Sequence, residues 1–258
     1  MTVDQDFVVW EGVYGSFTEA AAVGSGFDGP TWRDRSIEAA RDAAAQARSR
    51  QPLDYGLRQR NAVLPTLAAV MLTEQERVAI LDFGGGLGAG YFVLAKAMPE
   101  TIGRVDYAIV DVDSISAAGR ELFGGERSLA FHSGLPDAAS FDIVHAASVV
   151  QYVEDWRTLI GRLANYGARF LSLADIFIGE FKTYVTLQNY YASRIRHWFF
   201  NAGEFIEAVE GNGYRLILRS ECDAKILGRY GSLPMDNFPP ALRLAHASNL
   251  VFCRRSTL

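Results

Sequence analysis

Short apolar runs alternate with amphipathic stretches along most of this chain, and that rhythm predicts strands that alternate with helices. The apolar run at residues 78–81 has no polar face, which is typical of a strand covered on both sides in a parallel sheet. Similar runs recur at intervals that leave room for a helix between them. We therefore expect an α/β fold with a doubly wound, mostly parallel sheet. The other predicted strands span residues 107–111, 129–132, 141–146, 169–174, 214–221 and 250–254.

Helical periodicity fills much of the remaining sequence. The run Asn201-Ala-Gly-Glu204 is a capping box, which predicts a helix that continues to Glu210. Residues 1–76, which precede the first strand of the sheet, are typical mostly of helix and loop. We expect them to form an N-terminal helical extension that acts as a lid or covers a flank of the sheet, with the catalytic domain at 77–258. The other predicted helices span residues 36–48, 61–76, 90–98, 114–123 and 155–166.

Two long stretches interrupt this rhythm in the C-terminal third of the chain. Residues 176–200 form a polar and aromatic connection, and residues 222–249 are rich in glycine and proline. Connections of this length inside a compact domain are usually functional or disordered. We expect both to be insertions that cover the site.

Composition argues against several classes of partner. The chain has 258 residues, 49% of them hydrophobic and 21% charged, which suits one catalytic α/β domain with an appendage. A net charge of −5 leaves no basic surplus for neutralising nucleic-acid phosphates. We expect neither a membrane span nor a signal peptide, because no apolar stretch has the required length or position. Cys222 and Cys253 are too few for a disulfide framework or a zinc site, so we expect a cytoplasmic protein without a metal. The oligomeric state is left open.

A glycine-rich turn follows the first strand of the predicted sheet. Five glycines lie within residues 84–90. Glycine permits positive φ and lets the backbone approach a ligand closely, and the helix that starts behind the turn has free N–H groups. We therefore expect a nucleotide-like ligand at this turn.

The residue that indicates which nucleotide is Asp82. The pattern Gly84-x-Gly86-x-x-Ala89 satisfies the dinucleotide fingerprint, and Asp111 lies roughly the expected distance beyond it, so NAD is one alternative. A carboxylate at position 82 would repel the pyrophosphate of NAD. The same carboxylate would favour the sulfonium and ammonium groups of S-adenosylmethionine. The turn therefore predicts a methyl-donor site, in which Asp111 accepts the ribose hydroxyls.

Five short motifs spread along nearly the whole chain support this interpretation. They are Trp10-Glu-Gly-x-Tyr14-x-Ser-Phe17, Leu81-Asp-Phe-Gly-Gly-Gly-Leu-Gly88 with Tyr91, Ser148-Val-Val-Gln-Tyr152, Val185-Thr-Leu-Gln188 and Trp198-Phe-Phe-Asn201. Their order resembles the class I S-adenosylmethionine-dependent methyltransferases, and more narrowly a methyltransferase family often encoded with bacterial surface-polysaccharide and secondary-metabolite genes. The resemblance implies a seven-stranded sheet in the order 3-2-1-4-5-7-6, with the last strand antiparallel. After Asp175 the chain departs from that family's pattern, so the resemblance does not identify the substrate.

The donor is expected beyond the carboxyl ends of the first four strands, where ligands of such sheets gather. Polar groups after the third strand would meet the adenine, and residues after the fourth would line the donor pocket. The predicted donor contacts are Asp82, Gly84, Gly85, Gly86, Gly88, Tyr91, Asp111, Val112, Gly134, Leu135, Ala147, Ser148 and Val149.

Methyl transfer to an alcohol requires a base for the departing proton. Asp175, just after the fifth strand, is the first candidate, with a loop cap as its alternative role. His197 is the second candidate, because its near-neutral pKa suits proton transfer, with aromatic packing as its alternative role. The residues predicted to shape the acceptor pocket are Tyr14, Tyr152, Tyr184, Gln188 and Tyr191.

The function expected from these features is methylation of a small molecule, with an O-methyl product slightly favoured and a sugar or secondary metabolite as the acceptor. An NAD-dependent oxidoreductase is one alternative. A non-catalytic protein that retains the methyltransferase fold is the other.

Overall fold

The computed structural model describes residues 7–137, 140–223, 226 and 230–255, which form two sheets and the helices around them. The strands are β1 (Trp10–Tyr14), β2 (Val78–Phe83), β3 (Val105–Val110), β4 (Leu129–His132), β5 (Ile143–Ala147), β6 (Phe170–Ile176), β7 (Ile178–Gly179), β8 (Tyr184–Tyr190), β9 (Ser193–Asn201), β10 (Tyr214–Cys222) and β11 (Ala247–Arg254). The α-helices are α1 (Pro30–Arg48), α2 (Tyr55–Arg60), α3 (Leu64–Glu74), α4 (Ala89–Ala97), α5 (Asp113–Phe123), α6 (Trp156–Ala164) and α7 (Ala202–Glu210).

The central sheet has seven strands in the order β10-β11-β6-β5-β2-β3-β4. Five strands lie side by side and are parallel to one another: β4, β3, β2, β5 and β6. Strand β11 runs antiparallel to both of its neighbours, β6 and β10. Counted along the chain within this sheet, the order is 3-2-1-4-5-7-6, with the last strand antiparallel. The predicted fold class and strand order are therefore confirmed.

Helices cover both faces of the central sheet. On one face, α1, α3, α4 and α5 bury an apolar core with side chains such as Ile80 and Ile109. On the other face, α6 and α7 pack on side chains such as Leu81 and Val144. The alternation of Ile80 and Leu81 between the two cores is the period-two pattern of a strand buried on both sides. The carboxyl ends of these parallel strands therefore share one edge, where the predicted ligand residues lie.

The predicted N-cap of α7 is observed, although only half of the capping box forms. The Asn201 side chain accepts a hydrogen bond from the Glu204 N–H (2.9 Å). The Glu204 carboxylate accepts a hydrogen bond from Thr183 Oγ1 (2.7 Å). The helix start is thus tied to the segment before β8.

A second, four-stranded sheet corrects the prediction that residues 176–200 form a connection without strands. Its order is β1-β8-β9-β7, with β8 and β9 forming an antiparallel hairpin. The hairpin turn contains Tyr191 at φ 52°, where a glycine or asparagine would have signalled the turn. The expectation of helix and loop is likewise wrong for Trp10–Tyr14, because this segment pairs with β8 as β1.

The remaining parts of the predicted extension and insertions behave differently. Helices α1 to α3 pack on the central sheet as part of its first core. The described part of the connection between β10 and β11 contains only one short helical turn, Pro240–Leu242. The division into an extension at 1–76 and a catalytic domain at 77–258 stays a prediction. Within the described residues, no helix is long and apolar enough to cross a membrane.

Candidate functional site

The glycine turn between β2 and α4 needs glycine at several positions. Gly84, Gly86 and Gly88 have φ values of 69°, 57° and 96°, in the left-handed region that side chains rarely adopt. A Cβ atom at Gly84 would collide with Val149, whereas Gly86 faces open space. The turn therefore presents bare backbone at Gly86, and Val149 packs directly against it at Gly84.

Asp82 is buried beneath this turn at the end of β2, with 2% of its surface exposed. The Tyr107 hydroxyl donates a 2.6 Å hydrogen bond to Asp82 Oδ2, whereas Asp82 Oδ1 has no partner among the described residues. Burial raises the pKa of Asp82 to about 7, and the Tyr107 hydrogen bond lowers it in part. A Cβ at Gly85 would overlap the carboxylate, so glycine is needed there as well. Tyr107 is not among the predicted site residues, although it lies in the predicted second strand.

The groups around Asp82 do not include a cation that pairs with it. His145 is its register partner on β5, and burial lowers the pKa of His145 to about 4, so this ring is neutral. The His145 ring is held by Ser172 Oγ and Asn61 Oδ1, each at 3.1 Å. No ion pair joins Asp82 to another side chain in the described part of the chain. The free carboxylate oxygen is thus suited to a cationic ligand group.

Asp111 closes the glycine turn from the end of β3. Its Oδ2 accepts a hydrogen bond from the Gly86 N–H (2.9 Å), and its Oδ1 accepts one from the Val112 N–H (2.8 Å). Each carboxylate oxygen has a further lone pair, so Asp111 can still accept hydrogen bonds from hydroxyl groups. Burial raises the pKa of Asp111, and these backbone hydrogen bonds oppose that effect.

The other predicted donor residues occupy different positions. Gly134 and Leu135 follow β4, beside Asp111, whose N–H donates to the His132 carbonyl (3.1 Å). Gly134 is exposed and Leu135 is partly buried. Ala147 is partly buried at the end of β5, next to the loop that carries Val149.

Tyr91, one of the predicted donor contacts, lies in the first turn of α4, directly after the glycine turn. Its ring is buried in the first core, 5.5 Å from that of Phe92 and 5.8 Å from that of Tyr107. The pKa of Tyr91 is raised first by burial and then by the charge of Glu126, against the effect of Arg48. The placement counts against a donor contact because this position of α4 faces the helices of the core.

Ser148 and Asp175 form a hydrogen-bonded pair at the ends of β5 and β6. Both have positive φ, 57° at Ser148 and 54° at Asp175, although neither is a glycine. The Ser148 hydroxyl donates to Asp175 Oδ2. A non-glycine residue in this conformation is strained and persists only where the surrounding structure holds it in place. Such residues cluster at functional sites.

Asp175 is held from two further sides. Its N–H donates to Asn249 Oδ1 (3.0 Å), and its carbonyl accepts from Gln151 Nε2 (3.2 Å). Asp175 Oδ1 and Gln151 Oε1 are both buried without a partner among the described residues. Burial raises the pKa of Asp175, and the charge of Arg60 and the Ser148 hydrogen bond offset part of this rise. The carboxylate is therefore fixed in place, with one oxygen available for a ligand.

His197 lies inside an aromatic cluster, which counts against its predicted role as a base. Its ring is completely buried, 4.6 Å from Phe177, 5.1 Å from Phe199, 5.2 Å from Tyr152 and 5.9 Å from Trp10 between ring centres. Burial lowers its pKa to about 3. A ring that binds a proton this weakly and is enclosed by four other rings is suited to packing.

The predicted acceptor residues divide into two groups. The Tyr152 hydroxyl donates to Gln188 Oε1 (2.8 Å), so these two side chains meet between the two sheets. Tyr184 is instead a core residue, stacked on Phe199, with its hydroxyl bonded to the Leu242 carbonyl. Tyr191 lies at the hairpin turn and is 52% exposed.

Tyr14 completes the predicted acceptor set. Its ring covers Gly12 on β1 and packs against a small apolar cluster with Phe17 and Leu187. Within the described residues, no group of three or more histidine, cysteine or acidic side chains could hold a metal ion.

Three solved structures share this fold at low sequence identity. A 1,6-didemethyltoxoflavin-N1-methyltransferase from Burkholderia thailandensis, bound to 1,6-didemethyltoxoflavin and S-adenosylhomocysteine, is 12% identical, with a TM-score of 0.51 over 92% of this chain and 95% of that one. An S-adenosylmethionine-dependent methyltransferase from Clostridium acetobutylicum is 10% identical, with a TM-score of 0.50 over 86% and 99%. A chain from the complex of the Haloferax volcanii Trm112 methyltransferase activator with a candidate methyltransferase is 14% identical, with a TM-score of 0.54 over 90% and 97%.

No protein-family model and no curated protein sequence matches the chain. The structural likenesses show that it has the Rossmann-like fold of the class I methyltransferases. The narrower resemblance to a family encoded with surface-polysaccharide genes stays a prediction.

Proposed function

We propose that this protein is an S-adenosylmethionine-dependent methyltransferase that acts on a small molecule, with an oxygen atom as the favoured acceptor. The observation that carries this proposal is the buried Asp82 carboxylate beneath the glycine turn, with one oxygen unpartnered among the described residues. A phosphate placed there would be repelled, whereas a cationic donor would supply the missing partner.

The residues present fit this donor. Asp82 would attract its positively charged methionine part, the bare backbone at Gly86 would allow close approach, and Asp111 would accept its ribose hydroxyls. S-adenosylmethionine supplies an electrophilic methyl group when it is bound. The contribution of the chain is to hold the acceptor in line with that group and to keep water away.

Asp175 is the residue that we propose takes the proton from an acceptor hydroxyl. Its free Oδ1 and its raised pKa suit this role, and the Ser148 and Asn249 hydrogen bonds keep the carboxylate in one orientation. A base of this kind favours an alcohol or phenol over an amine that already has a free electron pair. The second sheet would cover the acceptor, which we expect to be a sugar or another secondary metabolite.

Solved structures support a small acceptor. The Burkholderia thailandensis methyltransferase was crystallised with a small compound and S-adenosylhomocysteine, on a fold that extends over nearly all of both chains. We therefore propose that the partner of this chain is a small molecule and neither a nucleic acid nor a membrane.

Calorimetry with S-adenosylmethionine, S-adenosylhomocysteine and NAD tests the donor site. We expect the wild type to bind the first two compounds and not NAD. Asp82→Asn should weaken S-adenosylmethionine binding by about tenfold or more, since a charge-assisted contact is lost. Asp106→Asn is the matched control, because Asp106 lies on β3 with an exposed side chain paired to Arg77. Binding of NAD without the methyl donor would refute the proposal.

A further inference from the structure

Arg60, the last residue of α2, is a partly buried arginine with no hydrogen bond or ion pair to another described residue. Several other arginines have such partners: for example, Arg58 Nε donates to the Leu53 carbonyl (3.2 Å), and Arg194 pairs with Glu11 (3.1 Å). The Arg60 guanidinium is not among the buried polar atoms without a partner, so it is open to solvent, and its planar fork of donors matches a carboxylate. Arg60 is therefore a candidate contact for an anionic ligand group.

Two asparagines hold the end of α2 beside Asp175. Asn249 Nδ2 donates to the Gln59 carbonyl (3.0 Å), while its Oδ1 accepts from the Asp175 N–H (3.0 Å). Asn61 Oδ1 meets the His145 ring on the neighbouring strand β5. The residues on either side of Arg60 are thus fixed to the middle of β5 and to the carboxyl end of β6, and we propose that the acceptor binds at the latter.

The charge of Arg60 acts on the groups that surround this place. It lowers the pKa of Asp175 and of the Tyr152 and Tyr190 hydroxyls, in each case against the larger effect of burial. It also opposes the burial that raises the pKa of the Cys222 thiol to about 12. A carboxylate, two phenols and the guanidinium therefore lie within electrostatic reach of each other.

Aromatic rings flank the same groups. The Phe27 ring lies 4.8 Å from that of Tyr152 and 5.6 Å from that of Tyr190, and Trp32 lies 5.7 Å from Tyr190. Such rings favour flat, apolar ligand surfaces through stacked and edge-on contacts. This region therefore combines three features: a carboxylate at Asp175 that can accept a proton from a hydroxyl group, a cation at Arg60, and aromatic rings beside them.

We propose that the methyl acceptor is an aromatic hydroxy acid, with its hydroxyl directed to Asp175 and its carboxylate bound by Arg60. This inference rests on the proposed function, because it assigns the substrate class of that same site. A sugar without an acidic group would leave Arg60 unpaired. A neutral phenol would do the same, although it would suit the rings.

Matched acids and amides test the inference. The probes are meta-hydroxybenzoate, para-hydroxybenzoate and para-hydroxyphenylacetate, each compared with its primary amide, for binding to full-length protein saturated with S-adenosylhomocysteine. Saturation-transfer NMR and calorimetry report the affinities. We expect at least one acid to bind about tenfold more tightly than its amide, the size of a hydrogen bond to a charged group.

Three variants separate charge from structure. Arg60→Gln should abolish the preference for acid over amide, and Arg60→Lys should keep part of it, because the charge remains while the fork is lost. Arg58→Gln, on the same helix, should leave the preference unchanged. All three should bind S-adenosylhomocysteine as the wild type does.

The outcomes are distinguishable from those of the donor experiment. Failure of the wild type to bind S-adenosylhomocysteine contradicts the proposed function itself. If that compound binds, the inference is overturned when no acid binds, when acids bind no better than amides, or when Arg60→Gln retains the preference.

Discussion

We expect Asp82 and Tyr107 together to determine how the proposed donor site responds to pH. The 2.6 Å hydrogen bond from the Tyr107 hydroxyl stabilises the ionised carboxylate, while burial favours the protonated form. Because burial is the larger effect, the pKa of Asp82 lies near 7 in the free protein. The charge available to a cationic ligand therefore changes close to neutral pH.

Tyr107→Phe should move the pH dependence of donor affinity upward. Below the pKa of Asp82 the carboxyl is neutral, so affinity for S-adenosylmethionine falls as pH decreases through about 7 in the wild type. Phenylalanine cannot donate the hydrogen bond, and we expect the midpoint to rise by about one pH unit. Calorimetry from pH 5 to 9 measures this midpoint, because that range extends about two pH units on either side of the wild-type value.

Tyr91→Phe is the control for this experiment, because its ring adjoins Tyr107 without bonding to Asp82. The same midpoint in wild type and Tyr107→Phe would mean that the tyrosine does not set the charge of Asp82.

Asp175→Asn should lower turnover far more than donor affinity. Asparagine tolerates the left-handed backbone at this position, so the fold is retained while the proton acceptor is lost. We expect a decrease of roughly a hundredfold in S-adenosylhomocysteine release at saturating acceptor. Asp175 acts as a base only when it is ionised, so the wild-type rate should decrease as the pH is lowered through the pKa of Asp175. Because burial raises that pKa, the decrease should begin at a higher pH than it would with an aspartate of ordinary pKa. An unchanged rate in Asp175→Asn would exclude Asp175 as the base. The control is Asp113→Asn, in the first turn of α5.

At the scale of elements, Asn249 is one of two asparagines that connect the end of α2 to the central sheet. One amide bridges the Gln59 carbonyl and the Asp175 N–H, and the side chain is 3% exposed. The short helix α2 has only one buried residue of its own, Gly56. This bridge therefore adds to the packing of α2 on the first core, to which Leu57 contributes.

Asn249→Ala should destabilise the protein by about 3 kcal/mol, because one buried and one partly buried backbone group lose their partner. Urea unfolding measures the change in the free energy of unfolding. Asn212→Ala is the control, since Asn212 makes one exposed hydrogen bond to the Ala208 carbonyl and should have an effect of less than about 1 kcal/mol. A similar small effect of Asn249→Ala would show that α2 is held by other contacts.

At the scale of the whole molecule, the N-terminal region adds a strand to the second sheet and packs helices on the central sheet. Strand β1 lies on the edge of the second sheet, and α1 and α3 contribute to the first core. Trp10 is 1% exposed and packs against the rings of Phe177, His197 and Phe199. The predicted extension is thus part of the same packing as the proposed catalytic domain.

We expect Trp10→Ala to lower the free energy of unfolding by about 4 kcal/mol, as other large-to-small core substitutions do. Val13→Ala, on the same strand but 48% exposed, should have little effect. Circular dichroism and tryptophan fluorescence should report one coincident urea transition in both variants and the wild type. A separate early transition in fluorescence would mean that the N-terminal region unfolds independently.

The central sheet, the glycine turn and Asp82 could be predicted because their signals are local. Buried strands appear as continuous apolar runs, and glycines mark a turn whose backbone conformation other residues rarely adopt. An acid at the end of such a strand lies at the edge of the sheet. The second sheet was missed because Tyr191 occupies the left-handed turn position without a glycine, and because β1 finds its partner β8 far along the chain.

The sequence by itself determined the fold class and placed an acid, Asp82, at the end of the strand before the glycine turn, while the resemblance to the class I methyltransferases implied the strand order. Only the tertiary structure decided which groups act on that acid and on Asp175. Tyr107 is 25 residues from Asp82, and Asn249 is 74 residues from Asp175 and 190 from Gln59. No periodicity connects positions so far apart, because these contacts form only when packing brings separate strands and helices together. Arg60 gained its place beside Asp175 in the same way.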